Sequence, residues 1–359
     1  MKKSICVAAV AVTLAAVFPA TAQQSQQGQG QQTQQGNALA ALPPALRAAV
    51  QSGNPQAISQ AITTLSSGNT TQSANLAAQV VRAAEQIFST NPKGGIEVAQ
   101  AALNTVRNTP VQQSAPQQTQ EVITTATRLF IRPEALRVAP EQTAALAASA
   151  VQASATTNNP TLAAATASQA VSTAEKILAT NPAAAVQIAS VAMQTVKENT
   201  VSNSAPQQAL QTATTAARIV LAPSVQAIAP QQVASISAAA VQVASNPTVY
   251  QSSPNAAISV MAQSYAAVST QAVTAVAPSA VAAMTQQLNQ AATTTTLNQA
   301  NPTNGTQINE ILNKQSEEYR QATATATAPV TQQATQTTTQ PTVQTLPTEL
   351  DRTKTTSPS

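Results

Sequence analysis

Two glutamates and two arginines stand out, because they recur at one interval. Glu85 and Glu175 are 90 residues apart, and so are Arg128 and Arg218. A carboxylate and a guanidinium drawn from separate helices can form an ion pair, worth about 0–1 kcal/mol where exposed. The spacing therefore predicts the structural pairs Glu85–Arg128 and Glu175–Arg218. Other constellations fail the same test. Glu134 and Glu141 flank Pro140 and could be read as a general acid and base, yet the residues 90 positions later are Ser224 and Gln231. Arg132 and Arg137 correspond to Ala222 and Ala227 and read as solvated charges. Gly94-Gly95 becomes Ala184-Ala185, and no phosphate-loop spacing surrounds it, so it reads as a loosened first turn.

Composition narrows the chemistry further. The chain has 359 residues, of which 78 are Ala, 50 Thr and 48 Gln. Histidine and tryptophan are absent and aromatics make up 2%, which removes the commonest general base and metal ligand. The single cysteine, Cys6, lies in the N-terminal apolar stretch, so the rest of the chain holds no disulfide, thiolate site or cysteine nucleophile. The expectation is a protein without catalytic, cofactor-binding or metal-binding residues, not an enzyme, and one that uses no cofactor.

The ends differ from the middle. Lys2 and Lys3, the apolar stretch Ile5 to Phe18 and Ala20-Thr21-Ala22 read as a signal peptide over residues 1–22. Residues 23–38 are rich in Gln and Gly and read as a disordered spacer. Residues 293–359, rich in Thr, Gln and Pro, read as a disordered tail interrupted by a short helix near 308–321. Ile308, Ile311, Leu312 and Tyr319 share that helix and form a candidate partner-docking element. Without Lys2 and Lys3, 14 basic residues face 12 acidic ones, a balance that predicts no nucleic-acid partner. No later apolar run is long enough for a transmembrane segment.

Residues 39–292 read as helical. Leu76, Val80, Ala83 and Ile87 repeat at helical spacing, as do Ile96, Ala99, Leu103 and Val106. Pro92, Pro116, Pro140, Pro160, Pro182, Pro206 and Pro230 follow one another at 20 to 24 residues. Proline suits the first position of a helix and little else in it, and Asn before Pro92, Pro160 and Pro182 supplies an N-cap. Shifted by 90 residues, 77–152 aligns with 167–242 without a gap at 32 identities in 76 positions. The fold class expected is all-α: tandem antiparallel helical repeats, about four helices per unit of roughly 90 residues, two units with partial helices on each flank. Helix starts are expected near 76, 92, 116 and 140, and near 166, 182, 206 and 230.

These readings lead to an exported protein of the periplasm, cell surface or exterior. Its expected role is a non-catalytic structural or interaction scaffold, meeting a protein or cell-wall polysaccharide surface or another copy of itself. The alternative expectation is an exported small-ligand-binding protein or enzyme with a site between helices, lined by several of Glu85, Arg128, Arg132 and Glu134.

Overall fold

A computed structural model describes residues 38–314. The leader over 1–22, nearly all of the spacer, Tyr319 and the remainder of the tail lie outside the described residues. Within them every regular element is an α-helix and the fold is all-α. No helix there is long and apolar enough to cross a membrane.

The helices are α1 (Pro44–Ser52), α2 (Pro55–Ser66), α3 (Thr70–Phe88), α4 (Pro92–Val106), α5 (Thr109–Ser114), α6 (Pro116–Phe130), α7 (Pro133–Val138) and α8 (Pro140–Ala155). They continue as α9 (Pro160–Ile177), α10 (Pro182–Val196), α11 (Asn199–Ser204), α12 (Pro206–Leu221), α13 (Pro223–Ile228) and α14 (Pro230–Ala244). The last are α15 (Pro247–Ser252), α16 (Pro254–Val268), α17 (Gln271–Val276), α18 (Pro278–Thr293) and α19 (Thr295–Ala300), followed by helical residues 304–314. α3 and α9 begin at 70 and 160, earlier than the apolar spacing suggests. The six-residue helices α5, α7, α11 and α13 occupy what were expected to be plain turns.

Local chemistry explains this alternation of long and short helices. A residue before proline is pushed out of the helical region, so a helix must end there, while the proline itself is well placed to open the next one. Ala115, Ala139, Ala205, Ala229 and Ala277 all sit at this joint, with φ between −144° and −132° and ψ between 50° and 65°. Elsewhere asparagine does the work. The side-chain oxygens of Asn54, Asn69, Asn91, Asn159, Asn181 and Asn246 accept backbone N–H groups in the first turn of the helix that follows.

The long helices fall into two layers. One holds α3, α6, α9, α12 and α16, each packed on the next; the other holds α2, α4, α8, α10, α14 and α18. Successive long helices belong to opposite layers. Within a layer the direction is shared: on α3 and α6, Arg82 meets Glu121 and the later Glu85 meets the later Arg128. The short helices α5, α11 and α15 lead from the second layer back to the first, with α19 packed against α15, and α7, α13 and α17 lead the other way, so the two sets lie at opposite ends of the layers.

Alanine makes the close stacking possible, since a methyl group lets helix backbones approach while keeping the highest helix propensity. Ala77, Ala84, Ala126, Ala167, Ala174 and Ala216 are completely buried among larger Val, Ile and Leu side chains. Threonine joins this core because its hydroxyl is satisfied locally. Thr143, Thr173, Thr195 and Thr212 each donate to the carbonyl four residues earlier and present their methyl groups to the interior.

Candidate functional site

The structure brings the recurring charges together. Arg128 Nη2 lies 3.8 Å from Glu85 Oε2 and Arg218 Nη2 lies 3.1 Å from Glu175 Oε2, both between neighbouring helices of the first layer. The two pairs differ in surroundings. Glu85 is the more enclosed, with its side chain 12% exposed against 40% for Glu175. A second arginine reaches it: Arg132 Nη2 is 3.3 Å from Glu85 Oε1, and its guanidinium stands 5.1 Å from the centre of the Phe88 ring. Arg132 is therefore bonded rather than freely solvated. The copy 90 residues later replaces Arg132 by Ala222 and Phe88 by Leu178, leaving a bare pair.

One further pair was not legible. Arg82 and Glu121 form a two-pronged salt bridge across α3 and α6, with Nη2 and Oε2 2.8 Å apart. Their counterparts, Ser172 and Gln211, carry no charge, so no repetition announced it.

The proposed docking residues have another role. Ile308 is completely buried, and Ile311 and Leu312 are partly buried against the core. The helical stack runs on to residue 314, past the expected boundary at 292, and these side chains close its last rung. Ile308 is thus a core position rather than part of a docking face, while Ile311 and Leu312 remain partly exposed beside it. Tyr319 lies outside the described residues.

A buried polar network ties down that same end. Tyr250 on α15 donates its hydroxyl to Asn304 Oδ1 at 2.8 Å and accepts from Asn301 Nδ2 at 3.3 Å. Asn304 Nδ2 in turn donates to the Ala291 carbonyl and to Asn298 Oδ1. Desolvation raises the Tyr250 phenol above its ordinary pKa, partly opposed by the Asn301 hydrogen bond.

The surface repeats as the helices do. Val138, Ile228 and Val276 are the final residues of α7, α13 and α17, and each is about half exposed, at 51%, 52% and 48%. At the opposite end the final residues of α5, α11 and α15 are Ser114, Ser204 and Ser252. The clefts are open and carry few charges. One of about 530 Å³ lies where α8 passes to α9 without a short helix, bordered by Asn158, Asn199 and Asn203. Others of about 480 and 220 Å³ lie along the second layer. None of these clefts is lined by Glu85, Arg128, Arg132 or Glu134. Among the described residues no group of three or more acidic or cysteine side chains is placed to hold a metal ion. Comparison with known proteins gives no match to a family model, to a curated sequence or to a solved structure.

Proposed function

We propose that this chain is an exported, non-catalytic scaffold of the cell envelope or cell exterior, which meets its partner through surfaces that repeat from helix to helix. The observation that carries the reading is the row formed by Val138, Ile228 and Val276. Equivalent side chains emerge at the ends of all three short helices that lead from the first layer to the second, and only the direct α9–α10 joint between α7 and α13 interrupts the row, so the surface recurs along the stack as the core does. A periodic surface gains most from a partner that is itself repetitive or clustered, because each added contact is intramolecular once the first is made. Glu85, Arg128 and Arg132, three of the four side chains on which an enzyme or small-ligand site was expected, are instead engaged with one another between helices. A site built on those three has less support, since their charges already offset one another in part.

Fractionation of producing cells tests the proposal. The chain should be recovered outside the cytoplasm and sediment with envelope material in a form released by salt or detergent. Recovery in the cytoplasm, or turnover of a small substrate by the purified chain, would overturn it.

A further inference from the structure

The second layer carries a line of side chains at a single register. Twelve residues past its opening proline, each of α4, α8, α10, α14 and α18 bears an exposed carboxamide: Asn104, Gln152, Gln194, Gln242 and Gln290. These helices are consecutive neighbours in the layer, so the five amides stand in one row across the stack. Beneath the row the surface is furrowed. The cleft of about 480 Å³ is lined by Gln152 and Gln194, and the cleft of about 220 Å³ by Gln194 and Gln242. Gln194 and Lys197 line both, so the two clefts adjoin as a furrow that crosses α8, α10 and α14. The side-chain amides of Gln152, Gln194, Gln242 and Gln290 form no hydrogen bond among the described residues.

We propose that this furrow binds an extended, uncharged linear polysaccharide, laid across the helices with successive disaccharide units meeting successive carboxamides. A carboxamide offers two donor hydrogens and an acceptor oxygen, and sugar hydroxyls likewise give and accept. Neighbouring packed helices lie about 8–10 Å apart, a step on the scale of one disaccharide in an extended chain. A polymer with a disaccharide repeat would present the same groups at every step, whereas a peptide changes its side chains from residue to residue. The row itself holds no charge, and the charged residues of the furrow's walls, Arg107, Lys197 and Glu198, are few and of mixed sign, so a polymer read through its hydroxyls fits better than one read through its charge. Having no aromatic platform, each rung holds its sugar weakly, and the affinity comes from engaging several at once. This assignment rests on the scaffold reading and gives it a partner class.

Affinity electrophoresis of the full chain through native gels containing hydroxyethylcellulose or glycol chitin tests it, with polygalacturonate and a soluble threonine-rich peptide as contrasts. The chain should be retarded by a neutral glycan. The variant Gln152→Ala/Gln194→Ala/Gln242→Ala should bind about 10-fold more weakly or lose retardation, and the first-layer control Gln169→Ala/Gln211→Ala should bind as the parent does. None of these substitutions alters net charge, so mobility in blank gels stays the same, and circular dichroism checks that the helices persist. Equal retardation of parent and triple variant, retardation by polygalacturonate or peptide alone, or none with any polymer would overturn the furrow assignment. A chain that still sediments with the envelope after such a result would keep the scaffold reading while losing this one.

Discussion

Gly95 lies directly against Phe88, where α4 turns back along α3. A methyl group at Gly95 would stand 2.8 Å from both the Cα and the Cβ of Phe88, and 2.9 Å from the Ala84 carbonyl oxygen. The glycine is thus demanded by close approach of two helices, rather than marking a loose first turn. Gly95→Ala should destabilise this pair of helices, since overpacking costs about 1–3 kcal/mol and the gain in helix propensity returns only about 1 kcal/mol. Phe88→Leu should not rescue it, because the atoms in the way are main chain and Cβ. Ala185→Gly, at the matching position, should cost about 1–2 kcal/mol, from the lost helix propensity and the loss of a completely buried methyl group. Chemical denaturation of the single and double variants measures this, and full recovery in the double variant would contradict the assigned clash.

Glu85 and Glu175 should differ in worth. Glu85 is enclosed and shared by Arg128 and Arg132, while Glu175 is open and faces Arg218 alone. Glu175→Gln should cost less than about 1 kcal/mol, as exposed pairs do, and Glu85→Gln roughly 1–2 kcal/mol, as charged hydrogen bonds in partly buried positions do. Raising the salt concentration should shrink the first effect more than the second. Equal losses at low and high salt would show that the two sites are equivalent.

Tyr250→Phe removes the donor that satisfies the buried Asn304 carboxamide oxygen. The loss should be about 1–3 kcal/mol, concentrated at the C-terminal end and visible as faster amide exchange in α19 and residues 304–314. Alkali gives an independent reading. The folded phenol titrates above its unfolded value of about 10, so its stabilisation is complete below that pH and is lost as pH climbs through the raised folded value. Tyr250→Phe should remove this component of the alkaline decline, and a decline identical in the two proteins would rule out Tyr250 as its source.

Ile308 separates a core position from a docking one. Its side chain is completely buried, so Ile308→Asp places a carboxylate among apolar groups. A loss of roughly 4 kcal/mol or more is expected at that end of the stack. A soluble, fully helical variant with unchanged amide exchange over residues 278–314 would mean that the residue faces outward after all.

Much of this architecture was legible because it is written twice. Glu85 and Arg128 could be singled out from solvated charges because Glu175 and Arg218 keep them in step. Asn91, Asn159 and Asn181 could be read as caps because the proline beside each fixes where the helix begins. The short helices escaped notice because six residues hold under two turns, too few for a periodic apolar pattern to emerge. Their trace was a second set of prolines, Pro110, Pro133, Pro223 and Pro247, each six or seven residues before the next. Ile308 was misplaced for a different reason. An amphipathic stripe tells which face seeks cover, and the neighbour that covers it is a tertiary fact. The contact of Arg132 with Phe88 is tertiary in the same way.

The alternation of layers also sets an arithmetic for growth. From Pro182 to Pro230, and from Pro230 to Pro278, is 48 residues, one helix of each layer with its two short connectors. Excising residues 206–253 would join Ala205 to Pro254 and recreate the alanine-proline joint with both layers still in alternation. Excising half as many would hand a first-layer sequence to a second-layer berth. Genes of this design should lengthen and shorten by even steps, with the terminal rungs left to travel unchanged.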